Sequence, residues 1–492
     1  MLRALALASA TTLAACGPSL HHAPSLAPHA LFVDADGSAR RTLPDAGATP
    51  ATRASGDVLD AAAIGMQLHA MMTTLRTQPG RDVVVYVHGG LTPPSVGAWQ
   101  ARARLQPMQD AATIPLFLEW DSALSPTHTL RALPSVAVHG VLGAPGAWGR
   151  AYVAGCRAVH ALLHEGRDVR TDARHDSPRH AQRDDASDAS DASVSTITAA
   201  RRCPGRAPDA VETASLALER VAATTVSDTL PRLHLEPQRP GALVTAGRIA
   251  LAVATVVPKL VTGPFMHAAG ADAYAALRGR ASRAAAGAGG ALVDSLGALL
   301  SAECAAVAPA PCPRRVTLVG FSMGAIVLNA LLVSRPALPV QRVVHLAPAA
   351  SIAETHTAVV PFLLARPDAT FRIAVLHPTV EADELRALDL LPRGSLLEWI
   401  DGGWSGDASS SARTTGRWSG ALAFAALAPA SVRGRIAIEA FGDDAGTRAR
   451  TGRALRRHAT FGDPDFVFWA DSTWATARPH PVRRLPSAAG AW

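Results

Sequence analysis

Gly320-Phe321-Ser322-Met323-Gly324 sets a hydroxyl between two glycines, directly after the apolar run Val316-Thr317-Leu318-Val319 and before Ala325-Ile326-Val327-Leu328. A serine so placed can act as a nucleophile. A tight strand-to-helix turn would lift its Oγ above a sheet, and the flanking glycines would remove side chains that otherwise collide with neighbouring strands. The N-terminus of the following helix would favour a developing oxyanion. A second element, His88-Gly89-Gly90, follows Val83-Val84-Val85-Tyr86-Val87. Glycines there let backbone N–H groups approach a substrate carbonyl, as half of an oxyanion hole requires. His88 is expected to shape this loop rather than to act as a base.

An attacking serine needs a base and a carboxylate that orients it. After the run Phe371–Leu376 comes His377-Pro378-Thr379-Val380-Glu381-Ala382-Asp383-Glu384. Asp383 is the favoured acid and Glu381 the second choice. Asp401, after Leu396–Ile400, is a rival. His458 is the best base, lying in Arg457-His458-Ala459-Thr460-Phe461 ahead of the aromatic segment Phe466-Val467-Phe468-Trp469, which could pack the loop on a sheet. His480 lies near the chain end, where a fixed geometry is harder to maintain. His345 and His377 are expected to satisfy local hydrogen bonds at strand ends. No Cys/His cluster has metal spacing, and the chemistry calls for no metal or organic cofactor.

These residues need a scaffold. The continuous β-branched run Val83–Val87 and the run Ile114–Trp120 fit strands buried on both faces. Val316–Val319, Val343–Leu346, Phe371–Leu376 and Arg435–Phe441 read as further strands, and Leu396–Ile400 is also strand-like. Helical periodicity appears from a cap at Asp57 through about Leu75, and over Leu292–Val307, Met323–Val333 and Ile352–Leu364. Alternating strands and helices predict an α/β fold with a mostly parallel sheet flanked by helices. The chain from about 165 to 206, rich in Asp, Arg, Ser and Ala, cannot bury enough apolar surface to order itself. The apolar piece Leu243–Val257 is too short and too charged at its edges for a membrane span and is read as a core or lid helix.

HGG after one strand and GFSMG after a later one resemble the α/β-hydrolase superfamily of serine esterases, lipases and peptidases. The resemblance covers about residues 57–125 and 290–475. It implies a triad of Ser322, Asp383 and His458, an oxyanion hole from the Gly89–Gly90 loop completed by the Met323 amide, and an acyl-enzyme. It leaves residues 126–289 as a helical insertion before the nucleophile strand, expected to form a cap, and 476–492 as a tail. The expected substrate is a small acyl or lipid-like ester. The competing reading is an inactive protein of the same fold acting as a binding or scaffold module.

The N-terminus carries Arg3, an apolar run, and Leu13-Ala14-Ala15-Cys16-Gly17. This has the shape of a secretory signal over residues 1–15. Its end resembles a bacterial lipobox, implying lipidation (palmitate among the acyl groups) of Cys16 and an anchor in the envelope; with no aspartate after the Cys, outer-membrane sorting facing the periplasm is expected. Residues 16–56, rich in Pro, Ala, Ser and His, read as a tether, with only Leu31-Phe32-Val33 strand-like. Four cysteines then remain: Cys156, Cys203, Cys304 and Cys312. In an oxidising compartment Cys304 and Cys312 are the local pair, with free buried thiols as the alternative. The net charge of +7 suggests anionic partners at first sight, but all of the 47 basic residues except Lys259 are arginine, as GC-rich coding would give. No basic and aromatic residues interleave as in a nucleic-acid surface, so the partners expected are a substrate and, through the anchor, a membrane.

Overall fold

A computed structural model describes residues 26–40, 58–92, 94–122, 256–308, 312–382, 384, 395–405, 409–470 and 473. The signal segment, Cys16, the 165–206 stretch, Cys156, Cys203, Asp383, His480 and the 476–492 tail lie outside the described residues.

The strands are β1 (Ala30–Val33), β2 (Ala39–Arg40), β3 (Asp82–Val87), β4 (Thr113–Trp120), β5 (Val316–Phe321), β6 (Arg342–Leu346), β7 (Thr370–Leu376) and β8 (Ile436–Phe441). They form one sheet in the order β2-β1-β4-β3-β5-β6-β7-β8. Every pairing is parallel except that of β1 with β2. All of β4 is buried, as are the last five residues of β3. Side chains alternate across a strand, so burial of consecutive residues means both faces are covered, which is why these strands read as unbroken apolar runs.

The helices that flank the sheet include α1 (Ala61–Arg76), α2 (Pro94–Asp110), α3 (Val256–Ala286), α4 (Ala288–Val307), α5 (Gly324–Ser334), α6 (Ile352–Ala365), α7 (Pro378–Ala382), α8 (Leu396–Trp399) and α9 (Trp418–Leu427). The N-cap of α1 is Asp60, whose side chain accepts from the Ala63 amide, and not Asp57. α6 begins with a capping box, Ser351 and Glu354 each bonding the other's backbone amide. α4 lays Leu292, Val293, Leu296 and Leu300 into the core. The combined run Gly270–Val307 is long and apolar enough to cross a membrane by composition, at a mean hydropathy of 1.4, but this buried stripe packs it on the domain. The Cys304–Cys312 disulfide is formed, and beside it Arg314 pairs with Glu303 and donates to the Leu75 carbonyl, tying the end of α4 to the end of α1.

Two expectations are corrected. Leu396–Ile400 is not a strand: Ser395 caps it by accepting from the Glu398 amide, and α8 runs on into a wide turn over Ile400–Trp404. A Ser-x-x-Glu start outweighs the strand propensity of so short an apolar run. The stretch read as a tether also contributes to the sheet, because Ala30–Val33 pairs in parallel with Phe117–Trp120 and is wholly buried.

The chain passes from β3 to β4 on one side and later returns to β5 on the other side of β3. Adjacent strands whose connections leave in opposite directions open a crevice at their carboxyl ends, where ligands bind in such sheets. Val87 pairs with Gly320, so the HGG loop and the Ser322 turn emerge side by side at that crevice.

Candidate active site

Ser322 sits on the turn from β5 into α5 with φ 51°, a left-handed backbone that a serine rarely adopts. Both glycines are required there. A Cβ on Gly320 would meet the backbone of Ala325 at 2.7 Å, and one on Gly324 would collide with the carbonyls of Val87 and His88. The first lets the turn close on its own helix, and the second seats that helix start on the end of β3. The turn is braced by the Ser322 amide donating to Leu346 O (2.8 Å) and by Ser322 O accepting from the Ala349 amide (3.0 Å). Tyr274 of α3 donates to the Ala349 carbonyl at 2.8 Å, so the helix that precedes the core reaches the same corner.

His458 opens a single 3-10 turn, His458–Gly462. Its Nε2 lies 2.9 Å from Ser322 Oγ, and both side chains are buried. The turn is fixed from three sides. Glu384 Oε2 accepts from the His458 amide at 3.1 Å. Arg104 Nη2 donates to the Gly462 carbonyl at 2.6 Å. Phe461 and Phe466 join Phe441 of β8 in an edge-on triad with centroids 5.2–5.8 Å apart, and Phe468 stacks on Tyr86 of β3. The aromatic segment therefore packs the His458 loop on the sheet.

The Gly89–Gly90 loop lies on the Ser322 turn. A Cβ at Gly89 would meet Phe321 at 2.8 Å and Ser322 Cβ at 3.1 Å, and one at Gly90 would meet Met323 Cγ at 2.9 Å. Only glycine permits that approach. His88 is buried in the loop, with Nδ1 2.8 Å from Gly89 O, and is not near the Ser322 hydroxyl as a base would be; it shapes the loop.

The expected carboxylates separate. Glu381 accepts from Ser395 Oγ at 2.5 Å and faces Arg417 at 3.6 Å. Asp401 accepts from the Thr414 amide at 2.7 Å and faces Arg417 at 3.5 Å. Their partners are thus Arg417 and its surroundings, not His458. Burial pushes the Glu381 carboxyl up to about 7, and burial likewise raises Asp401, with Arg417 opposing both. Glu384 is the described carboxylate that meets residue 458, through its backbone amide. Its signal was its place in the acidic segment after β7.

His345 departs from expectation. It lies within β6, fully buried, edge-on to Phe371 at 4.9 Å, and neither ring nitrogen has a hydrogen-bond partner among the described residues. Burial drives its imidazole down to about 3, so it is neutral. Among the described residues no group of His, Cys, Asp and Glu is arranged to hold a metal ion.

Comparison of the chain with protein-family models, with curated proteins and with solved structures finds no match.

Proposed function

We propose that this chain is a serine hydrolase of the α/β-hydrolase type that cleaves carboxylic esters or related acyl bonds. The observation that carries the reading is the 2.9 Å contact of His458 Nε2 with Ser322 Oγ, made across 136 residues of chain at the crevice of the sheet. The Ser322 backbone at φ 51° supports it, because strain of about 1–3 kcal/mol persists only where the surroundings enforce it.

In this reading His458 takes the Ser322 proton as Oγ attacks the acyl carbon. Amides of the Gly89–Gly90 loop and of Met323 receive the oxyanion. The imidazolium then gives its proton to the leaving alkoxide, and water, deprotonated by the same imidazole, releases the acid and frees Ser322. Asp383 is assigned the orientation of the imidazole; Glu384 fixes the turn that carries it. Leu91, Val96 and Trp99, exposed on the chain that follows the Gly89–Gly90 loop, are assigned to an apolar rim that suits acyl or lipid-like substrates, and the inserted residues ahead of α3 to the cap. Anchoring at Cys16 in the bacterial envelope, with the outer membrane as the expected site, rests on the lipobox-like sequence and is supported by the Cys304–Cys312 disulfide, a bond of oxidising compartments. Palmitate incorporation that disappears in Cys16→Ser would test it.

A fluorophosphonate probe tests the chemistry. Labelling of the wild type that is lost in Ser322→Ala supports the reading. Folded protein that is never labelled sinks it in favour of a binding or scaffold module. A His458→Ala variant with full turnover would remove that residue as the base.

A further inference from the structure

Residue 119 is a carboxylate within β4, a strand otherwise apolar or aromatic near its end and buried throughout. Glu119 is 1% exposed, and its Oε2 has no hydrogen-bond partner among the described residues. It lies 3.4 Å from His88 Nε2, itself equally buried. Gly97 of α2 makes room for it, since a Cβ there would collide with Oε2. Register explains the meeting: β3 and β4 run in parallel with Val87 opposite Leu118, so the residues that follow each, His88 and Glu119, are neighbours.

The surroundings of His88 fix which nitrogen carries hydrogen. The Trp120 amide donates to Nε2 at 3.2 Å, so that nitrogen presents its lone pair and Nδ1 keeps its hydrogen. The Nδ1–H then donates to Gly89 O at 2.8 Å. Ser122 Oγ reaches the same carbonyl at 3.1 Å, and the Trp120 indole N–H donates to His88 O at 2.9 Å. In a planar trans peptide the C=O and the next N–H point in opposite directions. Holding the carbonyls of residues 88 and 89 from behind therefore turns the Gly89 and Gly90 amides toward the Ser322 side. A bare carboxylate against the Nε2 lone pair would be repulsive. Burial raises the Glu119 carboxyl against the pull of His88 and Arg104, and a proton held there removes the conflict while Nδ1 remains the donor.

We propose that Glu119 is a positioning residue for the oxyanion hole: with Ser122 it holds the Gly89 peptide, acting through His88, so that the Gly90 amide faces the reacting oxygen. This rests on the hydrolase reading above. The test uses the full chain, with p-nitrophenyl acetate turnover and the rate of fluorophosphonate labelling as readouts. Glu119→Ala is expected to lower kcat about 10- to 100-fold, less than outright loss of an oxyanion donor, with KM within about twofold and labelling slowed in parallel. Glu119→Gln, whose amide can donate to Nε2, is expected to recover kcat to within about threefold of wild type. Ser122→Ala lowers kcat in the same direction and decides the matter if Glu119→Ala does not fold. An unchanged kcat in folded Glu119→Ala, a Gln variant no better than Ala, or an unaffected Ser122→Ala where that variant decides, overturns the proposal while leaving the hydrolase reading in place. Wild-type protein that neither turns over nor labels overturns both.

Discussion

Beneath the Gly89–Gly90 loop, Arg104, Glu119, His88 and Tyr86 are each 1% exposed or less, with one guanidinium to one carboxylate. Elsewhere Glu381, Glu398 and Asp401 all face the guanidinium of Arg417, which is 28% exposed, and Arg413 also acts on Asp401. The dry cluster has no water to replace a lost partner. Its cation is held by the Tyr86 ring, 4.5 Å from the guanidinium carbon, and by the Gly462 carbonyl at the end of the His458 turn. The second cluster sets two buried carboxylates and one exposed one around a partly exposed cation, and burial raises Glu381 to about 7 and raises Asp401. Burial raises Glu119 as well, so what separates the clusters is what they hold: the first joins the Gly89–Gly90 loop to the His458 turn, whereas the second holds Ser395 and the Thr414 amide.

The largest test of this contrast removes the dry cation. Arg104→Met leaves Glu119 without its guanidinium neighbour and frees the Gly462 carbonyl. Loss of one partner from a buried ionic set costs roughly 3–5 kcal/mol, to be read by urea unfolding at pH 7. A loss under about 1 kcal/mol would show that the cluster is not the brittle one.

His345 sharpens the contrast by isolating burial from counter-charge. Burial alone lowers its imidazole from 6.5 to about 3. The unfolded chain binds a proton below pH 6.5 that the folded chain refuses until about 3. Stability from this group is thus present above pH 6.5 and is lost as pH falls, at up to about 1.4 kcal/mol per pH unit. His345→Leu should flatten the fall between pH 6.5 and pH 5 by about 2 kcal/mol. Parallel curves for the two proteins would mean the imidazole does not titrate against the fold.

The sheet was legible because strands covered on both faces leave unbroken apolar runs, and Ser322 because its glycines punctuate a strand-to-helix turn. His458 was legible from its place before an aromatic closing segment. Leu396–Ile400 misled because a run of that length has no period to read, and its cap at Ser395 decided the outcome. With it went the premise for Asp401 as an acid at a strand end. Glu119, Ser122 and Arg104 were silent since their meetings with His88, Gly89 and Gly462 depend on register and on packing across as many as 358 residues. One signal was present: a glutamate in the otherwise uncharged run Thr113–Trp120 is a charge where a buried strand should have none.

The second cluster is predicted to answer more weakly than the first and with pH. Arg417→Met should cost about 2 kcal/mol at pH 7, between an exposed pair and a fully buried one, and less at pH 5, where the carboxylates hold more protons. Glu381→Gln gives the clearest sign. The folded chain keeps a proton on Glu381 up to about pH 7, while the unfolded chain releases it near 4.5. Stability from this group is complete below pH 4.5 and is lost as pH rises through 7. The glutamine remains neutral throughout, and its side-chain oxygen can still accept from Ser395. Its stability relative to wild type should therefore rise from pH 5 to pH 8 by roughly 2 kcal/mol, the worth of a carboxyl shifted from 4.5 to about 7 with the pull of Arg417 already included. Urea midpoints of the two proteins that keep a constant gap across that range would show that Arg417 neutralises Glu381 fully, which would make the second cluster a tight ion pair and erase its difference from the first.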